Sequence, residues 1–136
     1  MDRRDFFNLA AGLAATSSFL EAAPKLPDAV IASDKASVAH EPFGEQRVYF
    51  DGPTDQLKSM TAGSLRLNPG QEPHPPHQHP EEEILLVTEG SGEIVIQGKT
   101  TQIGPGAMMY SAANKTHGIR NTGKVPLMFY YYKWIR

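Results

Sequence analysis

Residues 70–90 read GQEPHPPHQHPEEEILLVTEG, and the order of residue types in this stretch decides the fold. It begins with a turn residue, Gly70, and continues through Pro73-His74-Pro75-Pro76-His77-Gln78-His79-Pro80. It then enters an apolar run, Glu83 to Thr88, and ends on a second turn, Glu89-Gly90-Ser91-Gly92. Three of the five histidines fall within these few residues. His77 and His79 are two apart, so on an extended segment both project to the same face, the spacing at which two imidazoles can grip one ion. Glu83 lies four residues further, where a short bend can return a carboxylate to the same ion. His117 begins a later strand and can close the site from across a barrel. Imidazole and carboxylate without thiolate suit Fe, Mn, Ni, Co or Zn, with positions left open for water or substrate.

Outward from this stretch the pattern is one of short strands separated by turns. Arg47 to Phe50 runs into Asp51-Gly52-Pro53, and Ser59 to Leu67 ends at Asn68-Pro69-Gly70. Glu83 to Thr88 and Glu93 to Gln97 read as a hairpin across Glu89-Gly90-Ser91-Gly92. Gly98 turns the chain into Thr100 to Ile103, and Gly104-Pro105-Gly106 turns it into Ala107 to Tyr110. His117 to Asn121 and Val125 to Ile135 are the last two strands. Strands this short and evenly spaced, without a helical repeat after residue 42, mean an all-β sandwich or barrel. No internal repeat is present, so one barrel is expected. Twelve glycines and 11 prolines among 136 residues agree with a turn-rich chain.

Composition excludes several functions. Thirteen Lys+Arg against fifteen Asp+Glu leave a net charge of −2, unsuited to nucleic acid, which needs a basic patch to neutralise phosphates. The absence of cysteine removes disulfides, thiolate metal sites and thiol nucleophiles.

At this point a family resemblance adds to the reading. Gly70…His77-x-His79-x3-Glu83-x6-Gly90 resembles the first cupin motif, and Gly106…His117-x3-Asn121 resembles the second. Six residues separate Gly70 from His77 where the family usually has five. In the second motif Ala107, Ala112 and Asn114 replace the usual acidic residue, proline and glycine. Asn tolerates the left-handed conformation such a turn requires. The resemblance implies an all-β, single double-stranded β-helix (jelly-roll) barrel, the cupin domain spanning 43–136. It also implies that His77, His79, Glu83 and His117 hold one divalent transition metal. Alone, the Pro/His stretch reads equally well as a solvated loop. The matching Glu83, Gly90 and His117 favour the metal site.

The first 23 residues differ. Arg3-Arg4-Asp5-Phe6-Phe7 precedes the weakly apolar Leu9 to Leu20 and then Ala22-Ala23-Pro24. A cationic start, a short apolar middle and small residues before a proline form the layout of an export signal. The apolar run is too short to span a bilayer, so no stable membrane insertion is expected after processing. The motif resembles a twin-arginine signal, which implies a periplasmic protein. The competing reading is an amphipathic helix packed on the domain, with Phe6, Leu9, Ala10, Leu13, Ser17 and Leu20 near one face. Residues 24–42 read as a flexible leader, with His40 inside it.

The final strand is apolar on both faces. Phe129 and Tyr131 share one face, and Tyr130, Tyr132 and Trp134 share the other. One face fills the barrel, and the other is expected to meet a second subunit in a homodimer. A proton carrier beside the ion would come from His74, Tyr130 or Tyr132, with Arg66 and Tyr49 as further candidates. Asn121 either reaches the site or prepares the turn at Thr122-Gly123. Together these features favour an exported metal-dependent oxidoreductase, dioxygenase-like, acting on a small organic molecule. The alternatives are a non-catalytic cupin that binds a metal or small ligand, and a cupin isomerase or decarboxylase.

Overall fold

A computed structural model describes residues 24–136, so the export signal read at residues 1–23 lies outside the described residues. Nine strands follow one another: β1 (Ser37–Glu41), β2 (Gly44–Gly52), β3 (Ser59–Leu67), β4 (Glu82–Glu89), β5 (Gly92–Ile96), β6 (Lys99–Ile103), β7 (Met108–Ser111), β8 (His117–Arg120) and β9 (Leu127–Ile135). They form a six-stranded sheet in the order β1-β2-β3-β9-β4-β7 and a three-stranded sheet in the order β6-β5-β8, with every pairing antiparallel. This is the all-β architecture expected from the residue pattern, in the jelly-roll form that the cupin resemblance implies. Among the described residues the one helical segment is a 3₁₀ turn at Ser33–Lys35, and no helix is long and apolar enough to cross a membrane.

The core is built by alternation. Leu65 and Leu67 of β3, Leu85 and Val87 of β4, and Leu127, Phe129 and Tyr131 of β9 turn inward from the larger sheet. Ile94 of β5 and Ile119 of β8 meet them from the smaller one. Because successive side chains point to opposite faces, β3, β4 and β9 give alternate residues to this interior.

Two expectations are corrected. Glu83–Thr88 and Glu93–Gln97 are not a hairpin: β4 pairs with β7 and β9, whereas β5 pairs with β6 and β8. The chain crosses from one sheet to the other at Gly90, whose φ is 78° and whose missing side chain leaves room for the Pro126 carbonyl and Leu127. A turn signal marks a change of direction and is silent on which sheet the next strand joins. A tight hairpin does join β5 and β6, where Gln97 and Gly98 both have positive φ (47° and 81°), the geometry of a type I′ turn.

The second correction concerns the leader. Residues 37–41 are β1, paired along their length with β2 from Ser37↔Val48 to Glu41↔Gly44. Upstream, the Leu26 N–H donates to the Pro53 carbonyl at 2.8 Å, and Lys25 pairs with Asp55 at 3.0 Å. All five β1 residues are exposed, so this edge strand is held by backbone bonds. It carries no hydrophobic alternation for a sequence reading to detect. His40 stands on it, 4.0 Å from Glu45 and far down the exposed edge.

Candidate metal centre

The Pro/His segment is the connection between β3 and β4, and backbone bonds place it. His77 and His117 form an isolated antiparallel bridge, each N–H donating to the other's carbonyl at 2.9 Å. This bridge ties the loop to the first residue of β8. The His79 carbonyl accepts from the Asn114 N–H at 2.8 Å. Asn114 has φ 60°, the left-handed conformation anticipated for it.

These anchors bring three imidazoles together. The rings of His77, His79 and His117 have centroids 4.7–5.2 Å apart and are nearly perpendicular to one another. One ligating nitrogen from each lies within 4.8 Å of the others. Glu83, the second residue of β4, brings its Oε1 to 3.0 Å from His79 Nε2 and 3.6 Å from His117 Nε2. The three histidines therefore cluster, and Glu83 lies against two of them, His79 and His117.

The outer nitrogens of two of these rings are committed. His79 Nδ1 donates to the Glu81 carbonyl at 3.1 Å. His117 Nδ1 donates to the Lys115 carbonyl at 3.0 Å, with Ser111 Oγ at 3.1 Å. A carbonyl can only accept, so each Nδ1 carries the hydrogen and each Nε2 turns its lone pair inward. Two imidazole lone pairs then face one carboxylate oxygen. Such a cluster of acceptors is stable when a cation sits among them, either a proton or a metal ion. The donor chemistry fits a divalent transition ion.

Proton affinities follow from the same geometry. Burial, together with the neighbouring His74, His117 and His79, lowers His77 to about 4, so its ring is neutral at pH 7. Burial pushes the Glu83 carboxyl up, but hydrogen bonds and charge from His117 and His79 outweigh it, and the net effect holds the group below its ordinary value. The hydrogen bond to Glu83 raises His117 despite burial, and the Lys133 charge opposes that rise. The proton on His117 is the competitor that a metal must displace.

Beside the cluster lies a cavity of about 440 Å³, within the range of small-molecule sites. Its polar end holds His74, the three clustered histidines and Glu83, and its walls include Leu65, Leu85, Met109, Ile119 and Phe129. Of the expected proton carriers, His74 is at this cavity. Its ring stacks on His77 with centroids 3.6 Å apart, and its Nδ1 lies 3.0 Å from the Pro75 carbonyl. Tyr130 and Tyr132 are not. With Leu127, Phe129 and Tyr131 buried inward, the even-numbered residues of β9 face outward. Tyr130 lies against Tyr49 there, centroids 6.5 Å apart, and Tyr132 is exposed. Arg66 is exposed as well, 3.9 Å from Glu89.

Asn121 settles on the turn. Its fully buried amide donates to the Leu67 and Val125 carbonyls, and its Oδ1 accepts from the Gly123 N–H, all at 2.9 Å. Glu81 and Glu82, next to the ligand residues, are each engaged. The Glu81 carbonyl orients His79, and the Glu82 carboxylate accepts from Tyr110 Oη and Trp134 Nε1. The cavity residues that the sequence reading did not assign to the site include Tyr131, Lys133 and Gln46. For Tyr131 and Lys133 the signal was parity with Phe129 on β9, which became usable once that residue was known to face inward, whereas Gln46 on β2 had no such signal.

Comparison with known proteins decides the family. A model described as the cupin domain matches residues 63–132, just over half of the chain. The chain belongs to the cupin domain family. No curated protein matches it. Among solved structures, an RmlC-like cupin from Shewanella frigidimarina is similar at 12% identity and TM-score 0.68, covering 83% of this chain and 96% of its own. A predicted oxalate decarboxylase from Thermotoga maritima is 21% identical with TM-score 0.65, covering 79% and 100%. A polyketide cyclase from Streptomyces resistomycificus is also 21% identical, with TM-score 0.64 and 81% of each chain covered. Likenesses this distant carry the fold alone. The cupin barrel here holds a three-histidine cluster suited to a metal ion.

Proposed function

We propose that this cupin is an exported, metal-dependent enzyme, an oxidoreductase of dioxygenase type that acts on a small organic molecule held in the cavity. His77, His79, Glu83 and His117 hold one divalent ion, which supplies open coordination positions for an oxygen-bearing substrate and, if it is Fe, Mn or Ni, electrons for reaction with dioxygen. The observation that carries this reading is the gathering of three imidazoles, with the Glu83 carboxylate against two of them, in the wall of one cavity. The chain's own part is to keep water from the apolar end, to orient His79 and His117 through the Glu81 and Lys115 carbonyls, and to place the His74 imidazole at the cavity as a proton carrier.

A second reading, a decarboxylase or isomerase, is supported by the chemistry named for similar barrels, which includes a predicted oxalate decarboxylase and a putative sugar phosphate isomerase. The Arg3-Arg4-Asp5-Phe6-Phe7 segment supports export to the periplasm by the twin-arginine route, which moves folded proteins and would let the barrel load its ion first. Exposed Met108, Tyr110 and Tyr132 on the outer sheet face support a homodimer.

Elemental analysis of natively exported protein, beside a His77→Ala, His117→Ala double variant, tests the proposal. Stoichiometric Fe, Mn or Ni that is lost in the variant is the expected result, with oxygen uptake as the following assay. Zinc would shift the reading to decarboxylation or isomerisation. No bound metal in a folded wild type overturns the enzyme reading.

A further inference from the structure

We propose that the cavity binds a small carboxylate with an apolar body, and that Lys133 and Tyr131 select the carboxylate group. This names the substrate class of the site proposed above and rests on that reading.

Strand β9 sends Phe129, Tyr131 and Lys133 to the cavity as three successive inward residues. Lys133 is the register partner of the metal-site carboxylate residue Glu83 on β4. Its ammonium Nζ lies 6.0 Å from the centre of the Tyr131 ring. None of the ion pairs among the described residues includes it. The Glu83 carboxylate is committed to His79 and His117, so Lys133 presents a cation to the cavity without a protein counter-ion.

Tyr131 supplies the second element. The Gln46 side-chain amide donates to its Oη at 3.0 Å. The phenol oxygen is the acceptor in that bond, which leaves the hydroxyl hydrogen to donate elsewhere. The ring is buried and seated on Gly63, its partner across β3. A Cβ at Gly63 would lie 2.6 Å from the hydroxyl, so the absent side chain is what allows this placement.

A cation and a hydroxyl donor on one side of a pocket match a carboxylate, which accepts from both and neutralises the ammonium. Glu41, a carboxylate residue that also lines the cavity, is exposed on the edge strand β1, and Leu65, Leu85, Ile119 and Phe129 give the rest of the ligand an apolar wall. An apolar body gains by leaving water there. A neutral ligand would leave the Lys133 charge facing a partner that cannot neutralise it.

The test titrates benzoate and its neutral isostere benzamide into full-length protein freed of metal by chelation, followed by calorimetry and by the NMR signal of the cavity methyl of Met109. Benzoate is expected to bind about tenfold more tightly than benzamide, a preference that disappears in Lys133→Gln and survives in Lys133→Arg. Tyr131→Phe is expected to weaken benzoate about threefold with little effect on benzamide. Equal binding of the two probes, no binding of either at millimolar concentration, or an undiminished preference in Lys133→Gln overturns the proposal. Metal content measured on the same preparations before chelation separates the two ideas. A benzoate preference in protein that takes up no metal leaves this inference standing and removes the metal enzyme. Metal without the preference does the reverse.

Discussion

The two faces of β9 carry similar residue types and have opposite fates. Leu127, Phe129 and Tyr131 face inward and are 0–6% exposed. Met128, Tyr130, Tyr132 and Trp134 face outward and are half-buried or exposed. Hydropathy barely separates the two sets, so the difference comes from what lies opposite. Inward, the strand meets Ile94 and Ile119 of the second sheet and lines the cavity. Outward, Tyr132 lies between Ala62 of β3 and Ile84 of β4, with Tyr110 beyond, and no further layer covers them among the described residues. Apolar area stabilises a fold only where another surface removes it from water. The same chemistry therefore builds a core on one side and an exposed patch on the other.

The contrast is sharpest in a pair of substitutions. Phe129→Ala removes a ring that is 2% exposed and is expected to cost about 3–5 kcal/mol in urea denaturation. Tyr132→Ala, three positions along and 41% exposed, is expected to change the stability of the isolated fold by no more than about 0.5 kcal/mol. Similar losses for both would mean that the outer face is as structural as the inner one.

An intermediate effect is expected at the histidine end of the cavity. In metal-free protein His77 protonates at about 4, against 6.5 for the ordinary side chain. Between those values the unfolded chain binds more protons than the folded one, so stability falls as pH drops from 6.5 towards 4. Glu83, held below its ordinary value, acts in the same direction as acid protonates it. His117, raised above its ordinary value, acts oppositely: its contribution is complete in acid and is lost as pH rises through its folded value. His77→Ala should therefore flatten the acid limb of a stability–pH curve measured under chelation. An acid limb as steep as in wild type would place the titrating group elsewhere.

The smallest effect on folding should come from the outer patch, where the readout is mass. Tyr110→Ser with Tyr132→Ser is expected to convert a homodimer to monomer in sedimentation equilibrium while leaving metal content unchanged. An unchanged mass in the variant would show that the patch is not the contact.

Much of the site was legible because its determinants are local. His77, His79 and Glu83 fall within seven residues, and their spacing alone puts two imidazoles and a returning carboxylate on one side of a loop. His117 was legible through the second motif. The orientation of His79 and His117 by the Glu81 and Lys115 carbonyls was not, because backbone oxygens have no signature in a side-chain pattern. The choice among Tyr130, Tyr131 and Tyr132 was not legible either. Every aromatic in that run suits a strand, and parity tells which residues share a face without telling which face is inside.

By itself the sequence determined the strand-and-turn pattern, the single barrel and the closeness of His77, His79 and Glu83, since each rests on spacings of a few residues and on backbone preference at glycine and proline. Tertiary structure alone decided that β4 and β5 part into different sheets, that 37–41 is an edge strand, and that Phe129, Tyr131 and Lys133 are the residues of β9 that face the cavity. Those outcomes depend on which surfaces meet across the barrel, and burial is a property of the neighbours a residue acquires on folding.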